Sequence, residues 1–177
     1  THNAPQDFAK TNLLFDVILT DVPCSGEGLF RRDPAAISEW SAQNVYFCIE
    51  RQRQILRDIW PCLKDGGLLI YSTCTFNTHE NEENVRWIAE ELGADLLAVP
   101  VRPEWQITES LLAGWKQPVY RFIPGTTRSE GLFMAVLRKK GENRAVATLP
   151  ASLRTQVKKY PLLHLLYDGQ PAFEAKG

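Results

Sequence analysis

The sequence predicts an α/β fold built on a parallel sheet. Three observations predict it: two short apolar runs at residues 15–21 and 67–72, a long amphipathic tract between them, and a second helical tract leading to further strand candidates. Strand and helix alternating in this order is the pattern of parallel strands joined by helical crossovers. Residues 1–12 are a polar lead-in. Phe15-Asp16-Val17-Ile18-Leu19-Thr20-Asp21 then reads as a strand buried on both faces, because its apolar positions form a run instead of alternating. Such a strand belongs inside a sheet, so the chain is expected to begin within a domain. The strand ends on an acid and runs into Pro23-Cys24-Ser25-Gly26-Glu27-Gly28.

The next element is read as one helical tract between Asp33-Pro34 and Leu63, with Asp33 as N-cap and Pro34 at the first helical position. Val45, Cys48, Ile49, Gln52, Ile55, Leu56 and Ile59 recur three and four apart and give it one apolar face. Lys64-Asp65-Gly66-Gly67 is expected to stop it, and residues 67–72 form a second buried strand entering Thr73-Cys74-Thr75. Thr78 is the predicted N-cap of a helix from about His79 to Leu92, with Glu80, Glu82 and Glu83 in the first turn, where the helix dipole favours acids. Gly93 ends it. A third strand candidate covers residues 95–101, an insertion with Trp105 and Trp115 covers 104–117, and residues 119–123 and 132–137 read as a closing strand pair. Residues 1–140 therefore form the body, and 141–177 a separate segment with apolar islands at Leu162-Leu163 and Leu165-Leu166-Tyr167.

With 44% hydrophobic and 23% charged residues, the 177-residue chain is no disordered, collagen-like or disulfide-stapled polypeptide. The net charge of −1 offers no overall field for a polyanion. Charge is uneven, however: residues 138–159 hold Arg138, Lys139, Lys140, Arg144, Arg154, Lys158 and Lys159 against Glu142 alone. A polyanion would meet this patch, although the run also reads as a solvated connection between elements. No apolar stretch reaches the ~18 residues of a membrane span, and no signal-peptide pattern opens the chain. A soluble, cytoplasmic protein without a membrane partner is the expectation.

Cys24, Cys48, Cys62 and Cys74 form no C-x-x-C pair, and only three His accompany them, so neither a zinc site nor a disulfide framework is predicted. Cys48 lies on the helical apolar stripe and Cys62 at the helix end, where a free Cys acts as a small hydrophobe. Cys24 and Cys74 instead follow strands, and in open α/β sheets ligands bind outside the carboxyl ends of the strands. If the two strands are parallel neighbours, that edge holds two thiols and the Asp21 carboxylate. The first loop fails the dinucleotide fingerprint at Arg31, lacks a Gly-Lys-Ser/Thr ending, and places Arg31 one residue too far from Cys24 for a cysteine phosphatase. His79-Glu80-Asn81-Glu82 has no second His at helical spacing and reads as helix-starting chemistry, not a metal site.

A resemblance carries the reading further. Asp21-Val22-Pro23-Cys24-Ser25-Gly26-Glu27-Gly28, Phe30-Arg31-Arg32-Asp33-Pro34, Gln52-Arg53-Gln54-Ile55-Leu56, Leu63-Lys64-Asp65-Gly66-Gly67, Tyr71-Ser72-Thr73-Cys74-Thr75-Phe76 and Glu80-Asn81-Glu82 stand in this order. Together they resemble the motifs of the Nop/Sun family of RNA cytosine-5 methyltransferases over about residues 1–140. Residues 124–133 are similar to the family's last sheet motif, with Gly125 and Ser129 in place of the His and Gly often found there.

The resemblance implies a Rossmann-like, S-adenosylmethionine-dependent methyltransferase sheet. It assigns the attacking thiol to Cys74, product release to Cys24, and contacts with the cytosine edge and the cofactor to Asp21, with Pro23 beside the cofactor. Carbon 5 of cytosine is a poor nucleophile, so such enzymes first add a thiolate to carbon 6. Ser25, Gly26, Arg31 and Arg32 are the candidate RNA-contacting residues, although Arg31 and Arg32 also read as ordinary surface arginines. The target cytosine must be single-stranded or flipped out to reach both thiols, in ribosomal RNA before transfer RNA. The family's Gly-rich loop and two further strand-end acids are missing, so the sheet is expected to be incomplete at its N-terminal half and the isolated chain to bind cofactor weakly. The competing reading is a catalytically incomplete RNA-binding module.

Overall fold

The computed structural model describes residues 3–11 and 13–141. A five-residue helix α1 (Pro5–Ala9) opens the chain within the polar lead-in. Strand β1 (Phe15–Asp21) follows where the apolar run places it. The expected single tract from Pro34 to Leu63 is interrupted: α2 (Pro34–Glu39) is capped by Asp33 as expected, Trp40 turns extended, and α3 (Ala42–Ile59) restarts with the Ser41 side chain accepting from Asn44 N–H. Ser41 is a strong N-cap, and an N-cap inside an apparent tract marks a new start. Val45, Ile49, Gln52 and Leu56 form the buried stripe of α3, so the polar Gln52 does lie on the core face.

The helix ends at Ile59, earlier than the Lys64–Gly67 signal, because Trp60–Cys62 with Pro61 forms a 3₁₀ turn. Strand β2 (Leu63–Thr73) already contains the two glycines. Its register with β1 jumps from Phe15–Leu63 to Val17–Leu68, and Gly66 at φ +77° takes up that irregularity. Helix α4 (Glu82–Glu91) has Asn81, not Thr78, at its N-cap, and Gly93 follows it at φ +73°. Strand β3 (Ala94–Leu96) is three residues long, against seven expected. The closing pair is present as β4 (Tyr120–Phe122) and β5 (Leu132–Lys139).

The sheet runs β1-β2-β5-β3, with β4 also on β5. β1 and β2 are parallel, whereas β5 is antiparallel to β2, β3 and β4, so the sheet is mixed rather than wholly parallel. Leu56 of α3, Val85 and Ile88 of α4, Leu69 and Tyr71 of β2, and Phe133, Ala135 and Leu137 of β5 make one buried cluster. β1 lies at the edge of this order, and Val17 and Leu19 are 49% and 64% exposed. Burial on both faces is thus not seen for β1 among the described residues, because the face that carries Val17 and Leu19 has no element packed over it there.

The basic run is divided by this boundary. Arg144, Arg154, Lys158 and Lys159 lie outside the described residues. Lys139 donates to the carbonyls of Trp60 and Leu63, and Lys140 pairs with Asp95. No helix among the described residues is long and apolar enough to cross a membrane.

Candidate active site

Parallel pairing fixes what the two cysteine loops can do. Asp21 and Ser72 are register partners at the carboxyl ends of β1 and β2, and Ser72 Oγ donates to Asp21 Oδ1 at 3.0 Å. Cys24 lies three residues beyond the end of β1 and Cys74 one beyond the end of β2. Their sulfurs are 3.2 Å apart although 50 residues separate them in sequence. All four cysteines are free thiols. Cys62 is buried and Cys48 half-buried, away from this pair, as small apolar side chains on α3 and its end would be.

Gly28 N–H donates to Cys74 C=O at 2.9 Å, and a Cβ at Gly28 would run into that same carbonyl oxygen. Glycine is therefore dictated here by the close approach of two backbones. Gly28→Ala should push the loops apart. A loss of ~2 kcal/mol or more in urea unfolding is expected, together with slower alkylation of Cys74 near pH 7; a variant indistinguishable in both would show that the loops do not touch.

The rest of the brace is made of acids and amides. Glu27 Oε2 accepts from the N–H groups of Phe76 and Asn77 at 2.8 and 2.7 Å, and its Oε1 accepts from Trp40 Nε1 at 3.1 Å. Asn81 accepts from Thr73 Oγ1 at 2.6 Å and donates to Thr75 C=O at 3.0 Å, bracketing Cys74. Glu80 and Glu82, expected as dipole-favoured acids of a first helical turn, are both fully buried. Glu82 pairs with Arg121 of β4, whose Nη1 also donates to Phe76 C=O at 2.8 Å. Glu80 precedes α4 and turns toward the cysteine loops. Among the described residues no buried side-chain nitrogen or oxygen lacks a partner.

The two thiols differ electrostatically. The Cys74 thiol is lowered to about 7, chiefly because the Cys24 S–H donates to its sulfur; burial and the charges of Asp21 and Glu80 oppose this, and its own main-chain N–H assists. Cys24 is pushed strongly upward, first by that same hydrogen bond to Cys74 and then by burial. The contact therefore drives the two thiols apart, Cys74 toward the thiolate and Cys24 toward the thiol.

Pro23 and Asp21 are exposed and line a hollow of about 260 Å³ beside β1, floored by Phe8, Ile18, Leu19, Ile55 and Ile59. Ser25 is buried, with its N–H on Glu80 and its hydroxyl 2.9 Å from Thr75 Oγ1, so its polar groups are engaged within the protein. Gly26 adopts φ +75° and its N–H faces the Cys24 sulfur. Arg31 and Arg32 are exposed, and both pair with the Glu130 carboxylate. His79 is exposed and bonds to Glu83 at 3.0 Å; no cluster of metal-binding side chains occurs among the described residues. Sequence reasoning missed Glu27, Asn77 and Glu80. The available signal was Gln52, a polar residue at a core position of α3 that needed buried partners.

Comparison with known proteins gives the same direction. The sequence model of the family described as 16S rRNA methyltransferase RsmB/F matches residues 2–138. A ribosomal RNA small subunit methyltransferase F from Pectobacterium atrosepticum is 39% identical over 132 residues, 72% of this chain and 26% of the relative. Its namesake from Aliivibrio fischeri is 33% identical over 162 residues, 92% of this chain and 33% of the relative. The chain thus spans about a quarter to a third of the length of these curated relatives. Among solved structures, NSun6 from Pyrococcus horikoshii with SFG superposes with a TM-score of 0.66 at 27% identity, covering 80% of this chain and 34% of that one. A methyltransferase homolog protein from the same organism gives 0.63 at 27% identity, covering 78% and 44%. The mixed sheet with its antiparallel β5 is thus the Rossmann-like sheet of those neighbours. Matched over most of its length, with both cysteine loops inside the matched span, the chain belongs to the 16S rRNA methyltransferase RsmB/F family.

Proposed function

We propose that this chain carries the reacting centre of an RNA cytosine-C5 methyltransferase acting on ribosomal RNA, with Cys74 as nucleophile. The observation that carries the proposal is the thiol pair, 3.2 Å apart at two parallel strand ends and polarised toward a Cys74 thiolate. A protein that only binds RNA has no use for that polarisation. The ribosomal target rests on the names of the relatives.

The Cys74 thiolate adds to carbon 6 of cytosine, forming the C–S bond and moving the C5=C6 electron pair onto carbon 5 and the ring. Asp21, at the same edge, accepts from the exocyclic amino group beside ring nitrogen 3 and so orients the base over the Cys74 sulfur. Asp21 and Pro23, exposed over an apolar floor, would hold S-adenosylmethionine, and SFG in the NSun6 structure is an analogue of that cofactor. When bound, the cofactor supplies an electrophilic methyl group. Release then needs the carbon 5 proton removed and the C6–S bond broken, with the electron pair returning to sulfur.

Cys24 is suited to that second stage. Its thiol is held protonated mainly by Cys74; once Cys74 is bonded to carbon that negative partner is gone, so Cys24 can lose its proton to solvent and, as thiolate, take the proton from carbon 5. The order of the two thiols is thus set by their mutual ionisation. Arg31 and Arg32 stand beside the first loop, where RNA phosphates can displace Glu130.

RNA bearing 5-fluorocytosine tests the assignment, because fluorine at carbon 5 blocks proton loss. The full-length wild-type enzyme with cofactor should form an adduct stable to denaturing electrophoresis. With unmodified RNA and cofactor, Cys24→Ala should accumulate the adduct, from traces to a large fraction of the enzyme. Adduct retained in Cys74→Ala but absent in Cys24→Ala would reverse the roles.

A further inference from the structure

Glu80 is fully buried, and among the described residues no Lys or Arg lies on its carboxylate. Such a group is held by hydrogen bonds or not at all. Ser25 N–H, immediately after Cys24, donates to Oε2 at 3.0 Å and lies 3.4 Å from Oε1. Asn77 Nδ2, three residues after Cys74, donates to Oε1 at 2.7 Å. Gln52 Nε2, from α3, donates to Oε2 at 2.7 Å and to Pro23 C=O, just before Cys24, at 2.9 Å. The Gln52 carbonyl is held in turn by Asn84 Nδ2 at 2.6 Å, so the amide cannot flip without losing bonds at both ends. Asn77 Oδ1 accepts from Glu80 N–H at 2.9 Å, and Tyr71 OH donates to Glu80 C=O at 2.7 Å. One carboxylate therefore ties the backbone flanking Cys24 to the residue that follows the Cys74 loop.

We propose that Glu80 is a positioning residue: it clamps the two cysteine loops together so that the Cys24 thiol stays hydrogen-bonded to the Cys74 sulfur. The proposal rests on the reading of Cys74 as the reactive thiol and says what keeps it so. Glu80 touches neither sulfur by hydrogen bond, so it acts through Ser25 and Asn77. Its negative charge alone works against a Cys74 thiolate, as does that of Asp21 at the end of β1; the Cys24 S–H from the facing loop works for it. The other titratable groups that Glu80 faces are Cys48 on α3 and Tyr71 on β2, both pushed upward in part by its charge.

These opposed effects make the clamp separable from the charge. Glu80→Gln keeps the size of the side chain but turns one acceptor into a donor facing donors, and the clamp should open. If Glu80 acts by position, the Cys74 thiol rises from about 7 toward the ~8.5 of a free thiol. If it acts only by charge, the thiol falls. The measurement is the pH profile of iodoacetamide alkylation at Cys74, read by peptide mass spectrometry in the purified protein, with folding checked by circular dichroism.

The expected result is a slowing on the order of tenfold at pH 6.5, matching that of Cys24→Ala. In the Cys24→Ala background, Glu80→Gln should no longer slow the reaction, since the bond it protects is already gone. An unchanged or faster profile in the single variant, or an equal further slowing in the double variant, would overturn the proposal. Should Glu80→Gln fail to fold, Asn77→Ala opens the half-buried side of the clamp with the Glu80 charge in place, and slowing at Cys74 is again required. No RNA enters this measurement, so a wild-type protein that never traps fluorocytosine RNA removes the enzymatic reading and leaves the clamp standing or fallen on its own result.

Discussion

Cys74→Ala is expected to remove methyl transfer and covalent trapping altogether. The loss should reach about four orders of magnitude or more, the scale on which removal of a covalent nucleophile is felt. Nothing else at the strand ends can take over: Cys24 is pushed toward its unreactive thiol form, Ser25 is buried on Thr75 and Glu80, and Thr73 is tied to Asn81. Cys74→Ser tests the same point without a change of shape, because a hydroxyl does not ionise where a thiol lowered to about 7 does. The wild-type pH profile follows with its sign. Thiolate is the reactive form, so the rate should fall about tenfold for each unit below pH 7 and level off above it. In Cys24→Ala that rising limb should move to higher pH, because the donor that stabilises the thiolate has been deleted. A limb that stays in place in Cys24→Ala would mean that the sulfur contact does not control ionisation.

Arg121→Ala should be the most destabilising single substitution among the described residues. Arg121 and Glu82 have side chains 1% and 0% exposed and are paired through two nitrogens, Nε at 2.8 Å from Oε1 and Nη2 on Oε2. Leu111 N–H also donates to Glu82 at 2.9 Å, and the guanidinium stacks 5.2 Å from the centre of the Phe133 ring. Removing the arginine strands a carboxylate in the core, which costs about 3–5 kcal/mol out of a total stability of ~5–15 kcal/mol. A fall in Tm on the order of 10 °C is expected. Removing both charges by Arg121→Met with Glu82→Leu should recover much of the loss, since the stranded charge and not the missing attraction dominates. A single variant within 1 °C of wild type would mean the pair is open to water. The effect should also reach the reacting centre, because Arg121 holds the Phe76 carbonyl two residues after Cys74.

Much of this molecule is legible one residue at a time. β1, the buried stripe of α3, the Gly93 stop and the β4–β5 pair follow from local patterns of apolar and turn residues. The meeting of Cys24 and Cys74 is legible too, because parallel strands must end at one edge and each cysteine sits just past such an end. Where the local reading fails, a partner far along the chain decides. Glu80 and Glu82 have the right composition for the first turn of an exposed helix, but one is claimed by Ser25 and Gln52 and the other by Arg121. Their engagement goes with a start of α4 at Asn81 instead of Thr78. Likewise the apolar run of β1 gives its strand character but not how much of it is covered, which depends on neighbours across the sheet.

The sequence by itself determined β1, the buried stripe of α3, the closing strand pair, and the strand edge at which two of the thiols are found. Periodicity, capping and strand-end position act within a few residues, so one chain is enough to read them. Only the tertiary structure decided how close the two sulfurs lie, which acids are buried, and that Arg31 and Arg32 share one carboxylate. Those properties are set by hydrogen bonds and charges within a few ångströms in space but 28 to 99 residues away in sequence. Ionisation and burial respond to that distance in space, on which spacing along the chain is silent.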